Sequence, residues 1–281
     1  MKNEFVVSPN FQANVESHLF GNFLIDKTNS PLVLGIFGPP GEGKTFQLEL
    51  VCKSLEIEQL VISPGELESE NAGHPGQLLR SLYLKAGTTQ GTYKPSVLII
   101  NDIDTVLGDW GARTQYTVNR QIVYGQLMAF CDYPNQVSGH HTNRVPIIIT
   151  GNNPKILYEP LLRPGRMRLM SWTPDINTKL EIIEGIFPDA TRMDLQNALK
   201  QFPNEPISFW SDVKAHFWEL NLIDWLQKKG RKALMSDLAN GNRYELGQAP
   251  ITLPQLIEIA SILKTQDIRR DNFLEKHIHG K

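Results

Sequence analysis

The eight residues Gly38–Thr45 (GPPGEGKT) carry the most concentrated chemistry in the chain. They fit the pattern G-x-x-x-x-G-K-[ST], in which glycines let the backbone wrap a triphosphate so that successive N–H groups face its oxygens. Lys44 is then placed to reach the β and γ phosphates, and the Thr45 hydroxyl to bind Mg²⁺. With Gly38, Pro39, Pro40, Gly41, Glu42 and Gly43 before them and Phe46 just beyond, these form a candidate ATP-binding set. Chance gives about one such match per hundred chains of this length. The apolar run before the motif and the helical pattern after it supply the context that a phosphate loop needs.

Three further stretches could complete a site. The run VLIINDID (97–104) is apolar and ends in acids, so Asp102 is the candidate to hold the metal and polarise an attacking water, with Asp104 nearby. A strand-end cap is the bland alternative for Asp102. The run VPIIITGNNP (145–154) ends in polar residues, where Asn152 could hydrogen-bond the γ-phosphate or the attacking water. Gly-Asn-Asn is also turn chemistry. In LLRPGRMR (161–168), Arg163 and Arg166 flank Pro-Gly, which disfavours a plain helical face. Arginines supplied to a neighbour's phosphates contribute about 10³–10⁵ in rate in other phosphate-loop enzymes; two surface arginines are the alternative.

The elements that must position these residues alternate along the first two-thirds of the chain. Strands are expected at 32–37, 60–63, 97–101, 145–150 and 167–172, because short continuous apolar runs suit strands buried on both faces. Helices are expected at 43–55, 75–86 and 114–130. The alternation points to a doubly wound α/β domain with a parallel sheet. After residue 175 the strand signals stop. Phe209, Val213, Phe217, Leu220 and Ile223 repeat at helical spacing, and further helices are expected at 177–186, 192–201 and 253–264. The expected organisation is a nucleotide-binding α/β domain over 1–175 and a smaller all-helical domain over 176–281.

The chain has 281 residues, 41% hydrophobic and 21% charged, with a formal charge of −2. That balance gives no global positive field, so neither nucleic acid nor a membrane surface is an expected partner. Cys52 and Cys131 are the two cysteines and show no pattern, which fits a reducing compartment. No stretch reads as a signal peptide or a bilayer span, so the expectation is a cytosolic protein. His140–His141 lack ligands at metal-site spacing, and Trp210, Trp218 and Trp225 recur at helical spacing as packing or interface residues. The basic segment 228–232 (KKGRK) reads as a solvated loop.

The order of phosphate loop, acid strand, asparagine strand, paired arginines and helical end resembles the AAA+ ATPases. The segments GELESENAGHPGQLLRSLY, INDIDTVLG, RTQYTVNRQIV, VPIIITGNN and FPNEPISFW narrow this to a resemblance to rubisco activase. The resemblance implies a ring, commonly a hexamer, with ATP and Mg²⁺ at subunit boundaries and Arg163 and Arg166 completing the neighbour's site. Lys44, Asp102 and Asn152 take the catalytic roles, and Thr45 and Asp102 the metal. Loops around 66–76 and 108–116 would line the central pore. Rubisco is the implied partner, with hydrolysis releasing inhibitory sugar phosphates from it. A bacterial cytosol is the implied setting, carboxysome association being left open.

Three departures from the family pattern stand out. An Arg-x-Arg pair on the lid helix is replaced by Lys214 and His216, and His216 is expected to pack on the apolar face beside Phe209 and Leu220. No plant-type N-terminal substrate domain and no small-subunit-like C-terminal extension are expected. The asparagine at 101, where most AAA+ proteins have Asp, is shared with the family. These departures raise two alternatives: an ATP-gated rubisco-binding or assembly protein with weak hydrolysis, or a remodeller of another target.

Overall fold

The computed structural model describes residues 6–25, 28–67, 73–89, 94–104, 114–246 and 250–278. Two compact units emerge, one spanning Val7–Thr173 and the other built on Pro174–Lys281.

The first unit is a parallel sheet with helices. Its strands are β1 (Val33–Phe37), β2 (Glu58–Ile62), β3 (Ser96–Ile100), β6 (Ile147–Gly151) and β7 (Met167–Ser171), in the order β2-β3-β6-β1-β7. A small antiparallel pair, β4 (Gln136–Val137) and β5 (His140–His141), lies apart from it. The helices are α1 (Pro9–Phe23), α2 (Lys44–Ser54), α3 (Pro64–Leu67), α4 (His74–Thr89) and α5 (Thr114–Asp132). Strands β1, β3 and β6 are buried along their whole length, which is why their sequences are unbroken apolar runs. Interior strand β1 pairs Val33 with Ile147 on one side and with Met167 on the other. Edge strand β2 differs: it begins at Glu58, ahead of the expected 60, and leaves Val61 exposed.

Helix α1 was not anticipated, although Phe11, Val15 and Leu19 at i, i+4, i+8 are fully buried. Its other buried residues are polar and form a network. The Ile147 carbonyl can only accept, so His18 Nε2, 3.2 Å away, carries the ring proton. Asn22 accepts from Arg144 Nε (2.6 Å), which also reaches the Ser30 carbonyl (2.7 Å). Arg168 donates to the Asn14 carbonyl at 2.7 Å. Burial, then the charges of Arg168 and Arg144, push the His18 imidazole down to about 3, so it sits neutral at neutral pH.

The second unit contains α6 (Ile176–Ile186), α7 (Arg192–Gln201), α8 (Ile207–Lys229), α9 (Arg231–Ala239) and α10 (Leu253–Ile278). Asp175 and Thr191 cap α6 and α7 through side-chain bonds to the backbone N–H groups of Thr178 and Asp194. Helix α8 buries Phe209, Trp210, Val213 and Phe217, but Leu220 and Ile223, expected on the same buried stripe, are 47% and 44% exposed. The buried stretch of α8 ends at Phe217, about halfway along the helix. Helix α9 has no buried residue at all, and α10 extends well beyond its expected end at 264.

Candidate functional site

The phosphate loop leaves the C-terminal end of β1 and runs into α2. A Cβ on Gly38 would lie 1.9 Å from the Trp172 carbonyl oxygen, so only glycine fits there. Gly43, with φ of 74°, stands at the N-terminus of α2 in a left-handed conformation that side chains disfavour. A helix start of this kind favours an anion, because its dipole places partial positive charge there. Trp172, which the sequence reading gave no role, braces the loop from behind. Its backbone N–H donates to the Phe37 carbonyl and its indole N–H to the Glu42 carbonyl, both at 2.7 Å.

Lys44 and Asn152 are 108 positions apart, yet Nζ of the first lies 2.9 Å from Oδ1 of the second. The same ammonium donates to the Gly38 and Pro39 carbonyls, each at 2.9 Å. Burial lowers the Lys44 pKa, and the charges of Asp102, Asp104 and Glu42 act against that. The loop, its lysine and the candidate asparagine therefore form one cluster. Beside it runs a cleft of about 420 Å³ lined by Phe37, Gly38, Pro39, Asn152, Pro154 and Thr173, among others. Thr45 is exposed and lines a second cleft, of about 350 Å³, together with Asn101 and Ile99. Pro39, Pro40 and Phe46 are also exposed.

The two acids after β3 do different things. Asp102 is exposed and held at a φ of 46°, a left-handed backbone that aspartate tolerates better than most residues. Its N–H donates to the Thr150 hydroxyl (3.1 Å), which in turn donates to Asn101 Oδ1 (3.2 Å). Asn101 thus links the ends of β3 and β6. Asp104 instead accepts from the backbone N–H groups of Asn152 and Asn153. Thr45 and Asp102 offer hard oxygen donors of the kind that Mg²⁺ takes, and the glycine-lined helix start suits a polyphosphate.

The paired arginines are not equivalent. Arg166 makes a bidentate pair with Asp132 at the end of α5 (3.0 and 2.8 Å) and donates to the Pro160 carbonyl (3.0 Å). Its backbone N–H closes a turn on the Arg163 carbonyl at 3.1 Å. The Arg163 side chain is exposed and makes no hydrogen bond or ion pair among the described residues. Neither arginine is bonded to Lys44, Asp102 or Asn152.

Two family models together cover most of the chain. Residues 34–174 match the model for the ATPase family associated with various cellular activities (AAA). Residues 176–267 match the ribulose bisphosphate carboxylase/oxygenase activase, AAA, helical model. The activase of the cyanobacterium Nostoc sp. is 35% identical over 95% of this chain and 68% of its own length. The chain belongs to the rubisco activase family. The chloroplastic activase of Chlamydomonas reinhardtii is 34% identical over 98% of this chain and 71% of its own. Activase 2 of Larrea tridentata is 33% identical over 98% and 66%. The chain spans about two thirds of the length of the curated relatives it matches.

An AAA ATPase of the rubisco activase family uses ATP with Mg²⁺. Lys214 and His216 both make contacts within the helical unit. Lys214 Nζ donates to the Ile186 carbonyl at the end of α6, so it caps a helix within its own unit. His216 is not packed in a core: its side chain is 28% exposed, with Nδ1 3.7 Å from a Glu219 carboxylate oxygen. Of the two suggested pore segments, 66–76 and 108–116, residues 68–72 and 108–113 lie outside the described residues. Among the described residues no helix is long and apolar enough to cross a membrane.

Proposed function

We propose that this chain is an ATP-driven remodeller that assembles into a ring, most simply a hexamer, and acts on rubisco to release inhibitory sugar phosphates. Nucleic acid and membrane have no part in this reading, and the bacterial cytosol is its setting. The observation that carries it is the convergence of Lys44 and Asn152 at the mouth of the phosphate loop, in a chain whose relatives are named as rubisco activases. Lys44 neutralises the terminal phosphates, Thr45 and Asp102 hold the metal, Asp102 polarises the attacking water, and Asn152 orients it against the γ-phosphate. Bound Mg²⁺ would supply charge neutralisation between the phosphates. The uncommitted Arg163 is the arginine available to a neighbour's site, while Arg166 serves to hold the turn that presents it.

Phosphate release measured across a range of protein concentrations tests this. Specific activity should rise with concentration, and Lys44→Ala and Arg163→Ala should each lower it by at least about 100-fold while leaving the circular dichroism unchanged. Reactivation of inhibited rubisco follows as the substrate assay. Turnover that is independent of concentration and survives Arg163→Ala would overturn the shared-site ring. A second reading has an observation of its own. Lys214 is committed to the Ile186 carbonyl, which favours an ATP-gated rubisco-binding protein with weak hydrolysis. ATP-dependent binding to rubisco without reactivation would select it.

A further inference from the structure

Asp104 sits two residues beyond Asp102, and its carboxylate is already occupied. Oδ2 accepts from the Asn152 N–H, and Oδ1 accepts from the Asn153 N–H at 3.1 Å. These are two adjacent backbone donors at the point where β6 ends, and the carboxylate satisfies both, one oxygen to each. Gly151 makes the approach feasible, since a Cβ there would already lie 3.2 Å from Asp104 Oδ1 and 2.6 Å from the Phe37 ring. The clamped peptide carries the Asn152 side chain, whose Oδ1 meets Lys44 Nζ at 2.9 Å. A continuous chain of contacts therefore runs from Asp104 through the 152–153 backbone to the phosphate-loop lysine.

We propose that Asp104 is a positioning residue that fixes Asn152 against the phosphate loop, and is not a metal ligand. The proposal rests on the reading of Asn152 as the group that meets the γ-phosphate. Asparagine at 104 keeps the size but turns one acceptor into a donor that faces an N–H, so the 152–153 peptide must rotate or lose a bond. Misplacement of a positioning group by about 1 Å costs on the order of 100-fold in rate.

The test uses the whole 281-residue chain. Turnover is measured for Asp104→Asn, Asn152→Ala and the double variant, with mant-ADP and mant-ATP affinities and a Mg²⁺ titration of each. Asp104→Asn should lower turnover by about 10- to 100-fold and erase most of the preference for mant-ATP over mant-ADP. Its mant-ADP affinity and half-saturating Mg²⁺ should stay within about twofold of the unchanged protein. In the Asn152→Ala background the same change should cost nothing further, because the two act as one unit. Additive losses in the double variant, or a raised Mg²⁺ requirement with turnover recovered at high Mg²⁺, would overturn the proposal. Asn152→Ala with undiminished turnover would sink the reading of Asn152 itself, and the proposal with it. If Asp104→Asn melts early, Asp104→Glu keeps both acceptors at a longer reach and gives the same comparison.

Discussion

The two units solve the burial problem in opposite ways. In the α/β unit, β1, β3 and β6 are covered on both faces, and even the polar residues His18, Asn22 and Thr150 are buried with partners. In the helical unit, α8 has its buried residues in its first half and α9 has none, leaving Trp218, Leu220, Ile223, Met235 and Leu238 exposed. The first unit is built to hold a few atoms in fixed places. The second has a small core of its own and leaves apolar surface for another molecule to cover, which fits a protein that works in an assembly.

The largest effect expected from that contrast lies within α8 itself. Trp210 is fully buried, with its ring edge-on to Phe209 at 5.5 Å and to Phe202 at 6.2 Å. Trp210→Ala should destabilise the helical unit by about 3–5 kcal/mol, while Ile223→Ala, between about three and four turns along the same helix, should stay within about 0.5 kcal/mol. Urea unfolding of both variants checks this. A loss at Ile223 comparable to that at Trp210 would mean that another surface already covers the exposed half.

The same contrast decides what the sequence could reveal. Strands β1, β3 and β6 were legible because burial on both faces leaves a continuous apolar run. Edge strand β2 was harder to delimit, since Glu58 and Val61 face solvent and no single pattern marks its start. Leu220 and Ile223 kept the helical spacing of Phe209 and Val213, but spacing reports which face a residue is on and not how far along the helix its neighbours reach. At the site, Lys44 and Asn152 could be named from type and position alone. The split between Asp102 and Asp104 could not, because which carboxylate meets a backbone N–H is decided by the meeting of β3 and β6. Likewise Arg163 and Arg166 differ through Asp132, a residue with no motif to announce it.

A second way to sharpen the comparison is acid. His18 belongs to the buried polar network of the first unit and is held neutral, with its pKa at about 3 against an ordinary 6.5. Below 6.5 the unfolded chain takes up a proton that the folded chain refuses, so the unfolded state binds more protons and stability falls as pH falls. Above 6.5 the contribution is complete and flat. The slope approaches about 1.4 kcal/mol per pH unit, giving a loss on the order of 2 kcal/mol between pH 6.5 and 5 from this residue. His18→Gln keeps a hydrogen-bonding group without the titration. The difference in urea stability between the two proteins should therefore shrink by that amount on going from pH 7.5 to pH 5, and a difference independent of pH would show that His18 is already solvated in the folded chain.

The smallest effect expected is at Lys214, and it bears most directly on how the helical unit takes part in turnover. The Lys214 ammonium, its pKa lowered by burial, is spent on the Ile186 carbonyl. Removing it with Lys214→Met should cost about 0.5–1.5 kcal/mol of stability, the ordinary worth of one hydrogen bond. If capping is its whole contribution, turnover per folded molecule should stay within about twofold, and Lys214→Arg should restore stability alone. If instead the lysine leaves the carbonyl for a phosphate when ATP binds, Lys214→Met must lower turnover well beyond its effect on folding, and Lys214→Arg must raise turnover, because the guanidinium binds phosphate through a bidentate fork that an ammonium lacks. The first outcome makes the helical unit a rigid arm moved by the phosphate loop; the second makes it a sensor in its own right.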